Sequence, residues 1–291
     1  MRGRHRPVGR DGGPMTARVH PPAAHPPRRP SLKGRLAAGE PLYGALLRLP
    51  SETLVEMAGV AGLDYVVLDC EHGPADMTAL QHHLTAAAAQ GVEVLVRVGT
   101  AEPALALRCL DLGAAGIIHP HVDSAEDARR AVAADHYPPL GQRGFATYSR
   151  AGRFGTVTAR AHLAAGENIL VVAMIETGRA CAAAGEIAAT PGVDAVLVGP
   201  SDLAADCGFP GQEVIDGLTR SAQGATREAG RAVMAIVPST AAARAAVEAG
   251  AQLVLFNMAA VLMDTFRSLV PPAAGCAAPG ESTVPATPHT P

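Results

Sequence analysis

The sequence predicts an α/β protein built as a single closed (β/α)₈ barrel, the TIM-barrel architecture. Eight short apolar segments alternate along the chain with Ala-rich segments of helical character. The apolar segments show no polar–apolar alternation, which is typical of strands that are buried on both faces of a parallel sheet. Eight strand–helix repeats favour a closed barrel. A doubly wound open sheet is the alternative, although no GxGxxG motif follows the first strand.

Each predicted strand is followed by a predicted helix. The strands are expected at Leu42–Leu46, Tyr65–Cys70, Val92–Val98, Gly116–His119, Ile169–Ile175, Ala195–Val198, Ala232–Ile236 and Leu253–Phe256. The helices are expected at Ser51–Ala61, Met77–Gln90, Pro103–Leu112, Ser124–Ala134, Ala180–Ala189, Glu213–Ala229, Thr240–Ala249 and Ala260–Leu269.

Composition divides the 291-residue chain into three regions. Residues 1–30 hold seven arginines against one acid, and residues 271–291 form a Pro/Ala/Thr-rich segment. Segments of this kind bury too little apolar surface to fold. We therefore expect a disordered basic leader at 1–30, a barrel domain at 31–270 and a disordered tail at 271–291.

Charge and hydropathy exclude several classes of partner. The chain carries a net charge of −3 despite its basic leader, so the barrel region is acidic, which argues against a nucleic-acid partner. No apolar run reaches the roughly 18–20 residues that a spanning helix needs, so no membrane partner is expected. The five cysteines form no CxxC pair, which is typical of reduced thiols in a cytoplasmic protein.

Lysine is nearly absent from the chain. Lys33 is the only one, and it lies at the edge of the leader. A mechanism that needs a buried lysine, such as a Schiff base with a carbonyl substrate, therefore has almost no residue to use. A Walker-type phosphate loop is excluded for the same reason.

Charged side chains follow four predicted strands at their carboxyl ends, where barrels of this kind carry active sites. They are His72 after strand two, Arg97 at the end of strand three, Glu176 after strand five and Asp202 after strand six. Alone, each could cap a helix or form a surface ion pair, but four such ends converge at one barrel mouth.

Chemistry suggests roles for these four residues. Glu176 and Asp202 offer the hard oxygen ligands that suit Mg²⁺ or Mn²⁺. His72 can act as a general base, and Arg97 can bind a carboxylate or a developing enolate oxygen. The pattern indicates a metal-dependent enzyme that forms an enolate, either by proton abstraction or by carbon–carbon cleavage.

Other histidines are expected to have structural roles. His119 and His121 flank Pro120 at the end of strand four, so strand alternation points them to opposite sides. One of them could face the pocket and donate to the substrate, although packing or surface roles are expected. His82 and His83 lie within a predicted helix and are expected to face solvent.

Several motifs resemble those of the HpcH/HpaI aldolase family, the metal-dependent class II pyruvate aldolases of the phosphoenolpyruvate/pyruvate superfamily. The motifs are EHGP, YPPLGQRG, IET and GPSDL, in this order, within a resemblance that spans about residues 38–270. Each motif is weak singly, and the four together are specific.

The resemblance implies a metal and acid–base chemistry. It implies that Glu176 and Asp202 bind a divalent cation, which would be Mg²⁺, Mn²⁺ or Co²⁺. It makes His72 the acid–base residue with Asp69 beside it, and Asp111 the acid that raises the basicity of the histidine. It also implies a homo-hexamer arranged as a trimer of dimers.

The substrate-binding residues follow from the same resemblance. It implies that Arg97 binds the pyruvyl group and stabilises its enolate. Ser201, with Gly199 and Pro200, would contact the substrate carboxylate through backbone amides, next to the metal ligand Asp202. The substrate implied is a small 2-oxo acid.

The chain departs from the family pattern at three positions. Met174 stands where the family carries a Gln that touches the substrate, which removes a polar contact. His121 replaces the methionine of a Pro-Met pair, and an aromatic residue usual after strand one has become Leu47 or a neighbour. These changes leave the metal ligands and the base intact but affect the part of the site that would bind the aldehyde portion of the substrate.

Three functions compete on these observations. The leading hypothesis is retro-aldol cleavage of a 4-hydroxy-2-oxo acid to pyruvate and an aldehyde. The second is an acyl-CoA lyase, a citrate-type synthase or a decarboxylase that uses the same enolate chemistry. The third is a non-catalytic protein that binds a small acid.

Overall fold

The computed structural model describes residues 30–73 and 76–270. The predictions of a disordered leader and a disordered tail fall outside these residues, apart from Pro30, as does Cys276. Within them, Cys70, Cys109, Cys181 and Cys207 are free thiols.

Eight parallel strands close into a barrel in the order of the sequence, and the last strand pairs with the first. The predicted (β/α)₈ fold is therefore confirmed, and the open sheet is excluded because β8 hydrogen-bonds to β1. The strands are β1 (Leu42–Leu47), β2 (Tyr65–Asp69), β3 (Glu93–Arg97), β4 (Gly116–His119), β5 (Leu170–Ile175), β6 (Ala195–Val198), β7 (Ala232–Val237) and β8 (Leu253–Asn257).

The helices surround this barrel, and the eight predicted ones occur within a few residues of their expected ends. They are α2 (Glu52–Val60), α3 (Met77–Gln90), α4 (Pro103–Asp111), α5 (Ala125–Asp135), α7 (Gly178–Ala182) with α8 (Ala184–Ala189), α10 (Gln212–Glu228), α11 (Thr240–Glu248) and α12 (Met258–Leu269). The helix predicted as Ala180–Ala189 is divided at Ala183.

Three further helices were not predicted: α1 (Leu32–Ala37), α6 (Ala159–Gly166) and α9 (Pro200–Asp206). Each has eight residues or fewer. Such short segments hold about two turns, so they show little of the 3.6-residue periodicity on which sequence prediction depends.

Side-chain caps explain where most helices begin. A Ser, Thr or Asp directly before the first helical residue accepts a hydrogen bond from a backbone N–H of the first turn, which would otherwise lack a partner. These caps are Ser31, Ser51, Asp76, Ser124, Thr158, Thr177 and Ser239.

The barrel interior is filled by apolar side chains from alternate strand positions, and helix α1 adds Leu32 and Leu36 to this cluster. Lys33 of the same helix donates to the carbonyl of Ile169 and pairs with Asp194, at the amino ends of β5 and β6. The only lysine therefore lies at the opposite end of the barrel from the strands' carboxyl ends. This agrees with the expectation that no Schiff base forms at the site.

The inward-facing positions end in a layer of polar residues, glycine and proline at the barrel mouth. Strand residues alternate between the two faces, so the residue two positions beyond the last interior apolar residue also points inward. Applied to the interior cluster, this rule gives Arg48, Asp69, Arg97, Glu176, Gly199 and Asn257, with Pro120 and Pro238 after β4 and β7. Oδ1 of Asn257 is buried without a hydrogen bond among the described residues.

Among the described residues, no helix is both long enough and apolar enough to cross a membrane.

Gly44 of β1 makes room for a large ring inside the barrel. A Cβ at this position would lie 2.5 Å from Cδ2 of Tyr65, whose ring is fully buried and whose hydroxyl donates to the carbonyl of Val254 at 3.0 Å. We predict that Gly44→Ala destabilises the fold by about 1–3 kcal/mol, because the ring has no space to move. Urea unfolding measures this change.

Gly224→Ala is the matched control, since Gly224 lies within α10 and its Cβ would meet no atom within 4 Å. There, alanine should stabilise the fold by about 0.5–1 kcal/mol through helix propensity. Equal effects of the two substitutions would contradict the role given to Gly44.

Candidate active site

The carboxylate of Asp69, at the end of β2, is the most heavily hydrogen-bonded group at the barrel mouth. Arg97 donates to it through Nε at 2.9 Å and Nη2 at 2.5 Å, and Arg48 donates through Nε at 2.8 Å. The backbone N–H groups of Glu71 and His72 each add a bond of 3.2 Å. Burial alone would raise the pKa of Asp69, but the bonds and charges of Arg97 and Arg48 hold that pKa at about 2. Asp69 is therefore a fixed anion.

Arg97 is held rigidly beside it. Its side chain is only 4% exposed, and Nη1 lies 3.3 Å from Oε2 of Glu71 and 3.7 Å from Sδ of Met174. Although burial opposes the charge, the acids Asp69 and Glu71 raise the pKa of the guanidinium. The predicted enolate-binding arginine thus lies at the mouth as a permanent cation.

Glu176, after β5, is a buried carboxylate on the other side of the mouth. It is 1% exposed, and its Oε2 accepts from the backbone N–H of His121 at 2.9 Å. Nδ1 of His121 is 3.4 Å from the same oxygen, and its Nε2 is 3.7 Å from Oε1 of Glu71. His119 points the other way and contacts Asp135 at 2.8 Å. The opposite orientations are confirmed, and the ring of His121, which is 43% exposed, adjoins two acids of the site.

Gly199, at the end of β6, lets Glu176 and Met174 approach the backbone. A Cβ at this position would lie 2.7 Å from Oε1 of Glu176 and 2.7 Å from Cε of Met174. Any larger residue would displace the carboxylate. The GPSDL motif therefore needs glycine at this position because a side chain would leave no room for Glu176 and Met174.

Helix α9 follows directly and carries the rest of that motif. It begins at Pro200 without a side-chain cap, so the first backbone N–H groups have no partner from a capping residue. Pro200 and Ser201 are exposed and Asp202 is half-buried in the first turn. An anionic group of a substrate could accept hydrogen bonds from these amides.

The carboxylates around Glu176 fit a divalent cation. Burial and the negative charges of Asp202 and Glu71 together raise the pKa of Glu176 to about 7, against the lowering effect of the hydrogen bond and charge of His121. Among the described residues, Oε2 of Glu71 is also buried without a hydrogen bond, although Nη1 of Arg97 lies 3.3 Å from it. No cluster of three or more His, Cys, Asp or Glu side chains in the described part of the chain could by itself hold a metal ion. Mg²⁺ is nevertheless commonly held by one or two carboxylates, with water and substrate oxygens completing its shell.

His72 is the most accessible of the predicted catalytic side chains. Its imidazole is 54% exposed, and Nε2 lies 3.8 Å from Oε2 of Glu71. Its backbone is fixed by Asp69, and Gly73 follows because a Cβ there would collide with the carbonyl oxygen of Asp69. The ring can therefore meet a substrate while its position is set by a tight turn.

Asp111 does not join these residues within one chain. It ends α4, which runs antiparallel to the strands, so it lies at the opposite end of the barrel. There its carboxylate accepts from Nη2 of Arg143 at 2.8 Å. The guanidinium of Arg150 is also hydrogen-bonded, since its Nη1 donates to the hydroxyl of Thr85 at 2.7 Å.

The sequence did not reveal two residues that contact the site, and it led to a wrong prediction of solvent exposure for one histidine. Arg48 and Glu71 both contact the predicted site residues, yet neither was given a role. The inward alternation of β1 would have identified Arg48, whereas Glu71 follows the end of β2, where alternation no longer applies. The prediction for His82 is confirmed at 60% side-chain exposure, but that for His83 is wrong, since it is 2% exposed.

Cys70 lies beside Asp69 but is not suited to act as a nucleophile. Burial raises the pKa of its thiol to about 11, and the charges of Asp69 and Glu102 add to this effect. The thiolate, which is the nucleophile, is therefore scarce at neutral pH.

Known proteins resemble this chain over most of the barrel. The model of the HpcH/HpaI aldolase/citrate lyase family matches residues 43–260. A 2-dehydro-3,6-dideoxy-6-sulfogluconate aldolase from Pseudomonas putida is 42% identical over 168 residues, which is 58% of this chain and 66% of that relative. A 5-keto-4-deoxy-D-glucarate aldolase from Salmonella paratyphi C is 38% identical over 225 residues, which is 76% of this chain and 88% of that relative.

A solved structure agrees with the fold as well. The HpcH/HpaI aldolase/citrate lyase family protein from Burkholderia cenocepacia J2315 has a TM-score of 0.76 and 36% sequence identity, over 81% of this chain and 96% of its own. Family model, relatives and structure agree with the resemblance seen in the four sequence motifs. The chain belongs to the HpcH/HpaI aldolase/citrate lyase family, and it is an enzyme of the carbon–carbon lyase class.

Proposed function

We propose that this enzyme is a class II aldolase that cleaves a 4-hydroxy-2-oxo acid to pyruvate and an aldehyde. The observation that carries the proposal is the pairing of a buried cation, Arg97, with a cluster of acids around Glu176 at one barrel mouth. The two relatives named as aldolases support the same reaction class.

The reaction needs one proton transfer and one bond cleavage. His72 takes the proton of the 4-hydroxyl, either directly or through a water molecule, which matches its exposed ring. As the C3–C4 bond breaks, C4 leaves as the aldehyde and the electron pair moves towards the 2-oxo oxygen. Arg97 stabilises the negative charge that develops on this oxygen. Protonation at C3 then gives the methyl group of pyruvate.

Glu176 and Asp202 are the residues that would hold a divalent cation such as Mg²⁺, Mn²⁺ or Co²⁺. When bound there, the cation supplies positive charge beside the oxygens of the 2-oxo acid, and so favours the enolate. The fit rests on two carboxylates at a buried site: the negative charge of Asp202 already disfavours the negative charge of Glu176, and a cation bound between them would relieve this repulsion. Gly199 provides the space that Glu176 occupies.

The 2-oxo acid end of the substrate would lie against the start of α9. There the backbone amides of Ser201 and Asp202, with Gly199 and Pro200 shaping the turn, would bind the substrate carboxylate. Met174 presents a thioether, which accepts hydrogen bonds weakly, where an amide would contact the substrate. Binding at this end therefore depends more on charge than on side-chain hydrogen bonds.

The role of Asp111 and the homo-hexamer remain predictions that belong together. Asp111 lies at the far end of the barrel from His72, so it could raise the basicity of a histidine only across a contact between two copies of the chain. A trimer of dimers would provide such contacts. The cytoplasmic location and the absence of nucleic-acid and membrane partners also remain predictions.

The competing functions differ in the compounds on which the protein would act. An acyl-CoA lyase, a citrate-type synthase or a decarboxylase would act on CoA thioesters or other oxo acids in a substrate panel. A non-catalytic acid binder would bind pyruvate or oxalate without exchanging its protons.

We predict that the enzyme, supplemented with Mg²⁺ or Mn²⁺, exchanges the methyl protons of pyruvate for deuterium in deuterated water. His72→Ala should slow the exchange by roughly 10²–10⁴-fold, because a positioned general base contributes an acceleration of that order. Proton NMR of the pyruvate methyl group measures the rate.

His82→Ala is the control, since His82 is equally polar but lies on α3, where it contacts Glu52 at 3.4 Å. It should exchange pyruvate like the wild type. A wild-type enzyme that binds the metal but exchanges no protons would refute the aldolase proposal.

We also predict that a divalent cation stabilises the folded enzyme through Glu176 and Asp202. At a concentration of 100 times Kd, the cation should add about 2.7 kcal/mol to the free energy of unfolding. Glu176→Gln and Asp202→Asn should each remove most of this gain. Thermal unfolding with and without Mn²⁺ measures it independently of activity.

Asp264→Asn serves as the control, because Asp264 is an exposed acid on α12 that pairs with Arg267. It should retain the full metal-dependent gain. Full turnover in excess chelator, or an equal gain in the Glu176 and Asp202 variants, would contradict the assignment of the metal ligands.

A further inference from the structure

We propose that Asp123 is a positioning residue for Glu176: it joins the ends of β4 and β5 and so holds the Glu176 carboxylate in place for a cation. The inference deepens the proposed function, because it rests on Glu176 as a metal ligand. It is carried by the hydrogen bonds of Asp123 to the residues that follow Glu176, and by the backbone conformation of His121.

Asp123 binds the residues that follow β5 through both of its carboxylate oxygens. Oδ1 accepts from the hydroxyl of Thr177 at 2.7 Å, and Oδ2 accepts from Nη2 of Arg179 at 2.6 Å. The same hydroxyl oxygen of Thr177 caps α7 by accepting from the backbone N–H of Ala180 at 3.0 Å. Asp123 is therefore connected to the start of α7, directly after Glu176.

His121 directs its backbone N–H at Glu176 through a conformation that most residues avoid. Its φ is 51°, in the left-handed region that residues with a Cβ rarely adopt. In this conformation the N–H lies 2.9 Å from Oε2 of Glu176. The next N–H, that of Val122, donates to the carbonyl of Met174 at 3.0 Å. A left-handed residue persists only where its surroundings hold it, so the segment after His121 has to be fixed.

Asp123 supplies this fixation. Because its side chain is bound to Thr177, the segment that follows His121 is tied to the end of β5, and the His121 N–H stays directed at Glu176. Among the described residues, this N–H is the hydrogen-bond donor to the buried Glu176 carboxylate. Without Asp123, the donor would be released and the carboxylate could turn away from Asp202. Contacts that orient a metal ligand in this way set the affinity for the metal.

Two substitutions of Asp123 separate position from charge. Asp123→Ala removes the negative charge and the contact with Thr177, whereas Asp123→Asn removes the same charge but keeps an oxygen that can accept from the Thr177 hydroxyl. We expect Asp123→Ala to weaken the binding of Mn²⁺ alone to the full-length protein by about tenfold or more, and Asp123→Asn to stay within about threefold of the wild type. The electron paramagnetic resonance signal of free Mn²⁺ measures these affinities.

Asp127→Ala is the matched control. Asp127 also accepts from a hydroxyl, that of Ser124 at 2.6 Å, and also pairs with an arginine, Arg130. These partners all belong to the start of α5, and none of them contacts the residues that follow β5. The variant loses the same charge four residues from Asp123, and it should bind Mn²⁺ like the wild type.

Thr177→Val breaks the contact with Asp123 from the other side without changing the charge. It should weaken Mn²⁺ binding, and adding Asp123→Ala to it should weaken binding by less than about twofold more, because the contact is already lost. Equal losses in Asp123→Ala and Asp123→Asn would show that only charge matters and would overturn the proposal. So would a loss of less than about twofold in Asp123→Ala.

Hydrogen–deuterium exchange of the His121 amide, measured without metal, separates this proposal from the assignment of the metal ligands. Mass spectrometry with residue-level fragmentation should show faster exchange in Asp123→Ala and wild-type exchange in Asp127→Ala. If the wild type binds no Mn²⁺ but Asp123→Ala still loses this protection, the metal assignment fails and the positioning role of Asp123 stands. If the His121 amide exchanges equally in all variants, the proposal is wrong whatever the metal affinities.

Discussion

The site depends on one buried carboxylate, that of Asp69. A carboxylate taken out of water is stable as an anion only when donors replace its hydration. Here two arginines and two backbone N–H groups do so. The same bonds set the orientation of Arg97, hold Arg48 at the mouth and fix the turn that carries His72. Asp69 thus organises three strand ends from a single position on β2.

The mouth that results has two electrostatic halves. Permanent cations lie on the side of β1 and β3, and acids around Glu176 lie on the side of β5 and β6, with Glu71 and His121 between them. A carbonyl compound that becomes an enolate needs positive charge at its oxygen. One half supplies this through Arg97, and the other is suited to a cation from solution.

At the opposite end of the barrel, α1 adds apolar residues to the interior cluster, and the only lysine of the chain lies there.

Strands and helices could be predicted from the sequence where each left a clear pattern, either a continuous apolar run or a helical periodicity over several turns. The strands were found within a few residues, because burial on both faces leaves a continuous apolar run even in a short segment, and the longer helices were found from their periodicity. Helices α1, α6 and α9 were missed because a segment of two turns has no clear periodicity. The pair His82 and His83 shows the limit within a helix, since one faces solvent and the next is buried by packing that adjacent positions do not reveal.

The sequence by itself determined the barrel, the strand ends and, through its motifs, the family. It also predicted Asp69, His72, Arg97, Glu176 and Asp202 as site residues. These follow from local pattern, which any chain carries along its length. Only the tertiary structure decided which of these side chains meet: that Arg48 shares Asp69 with Arg97, that His121 adjoins Glu176, and that Asp111 lies at the other end of the barrel. The physical reason is that such contacts depend on the register between strands and on the direction of each helix, and neither is set by the residues of one segment alone.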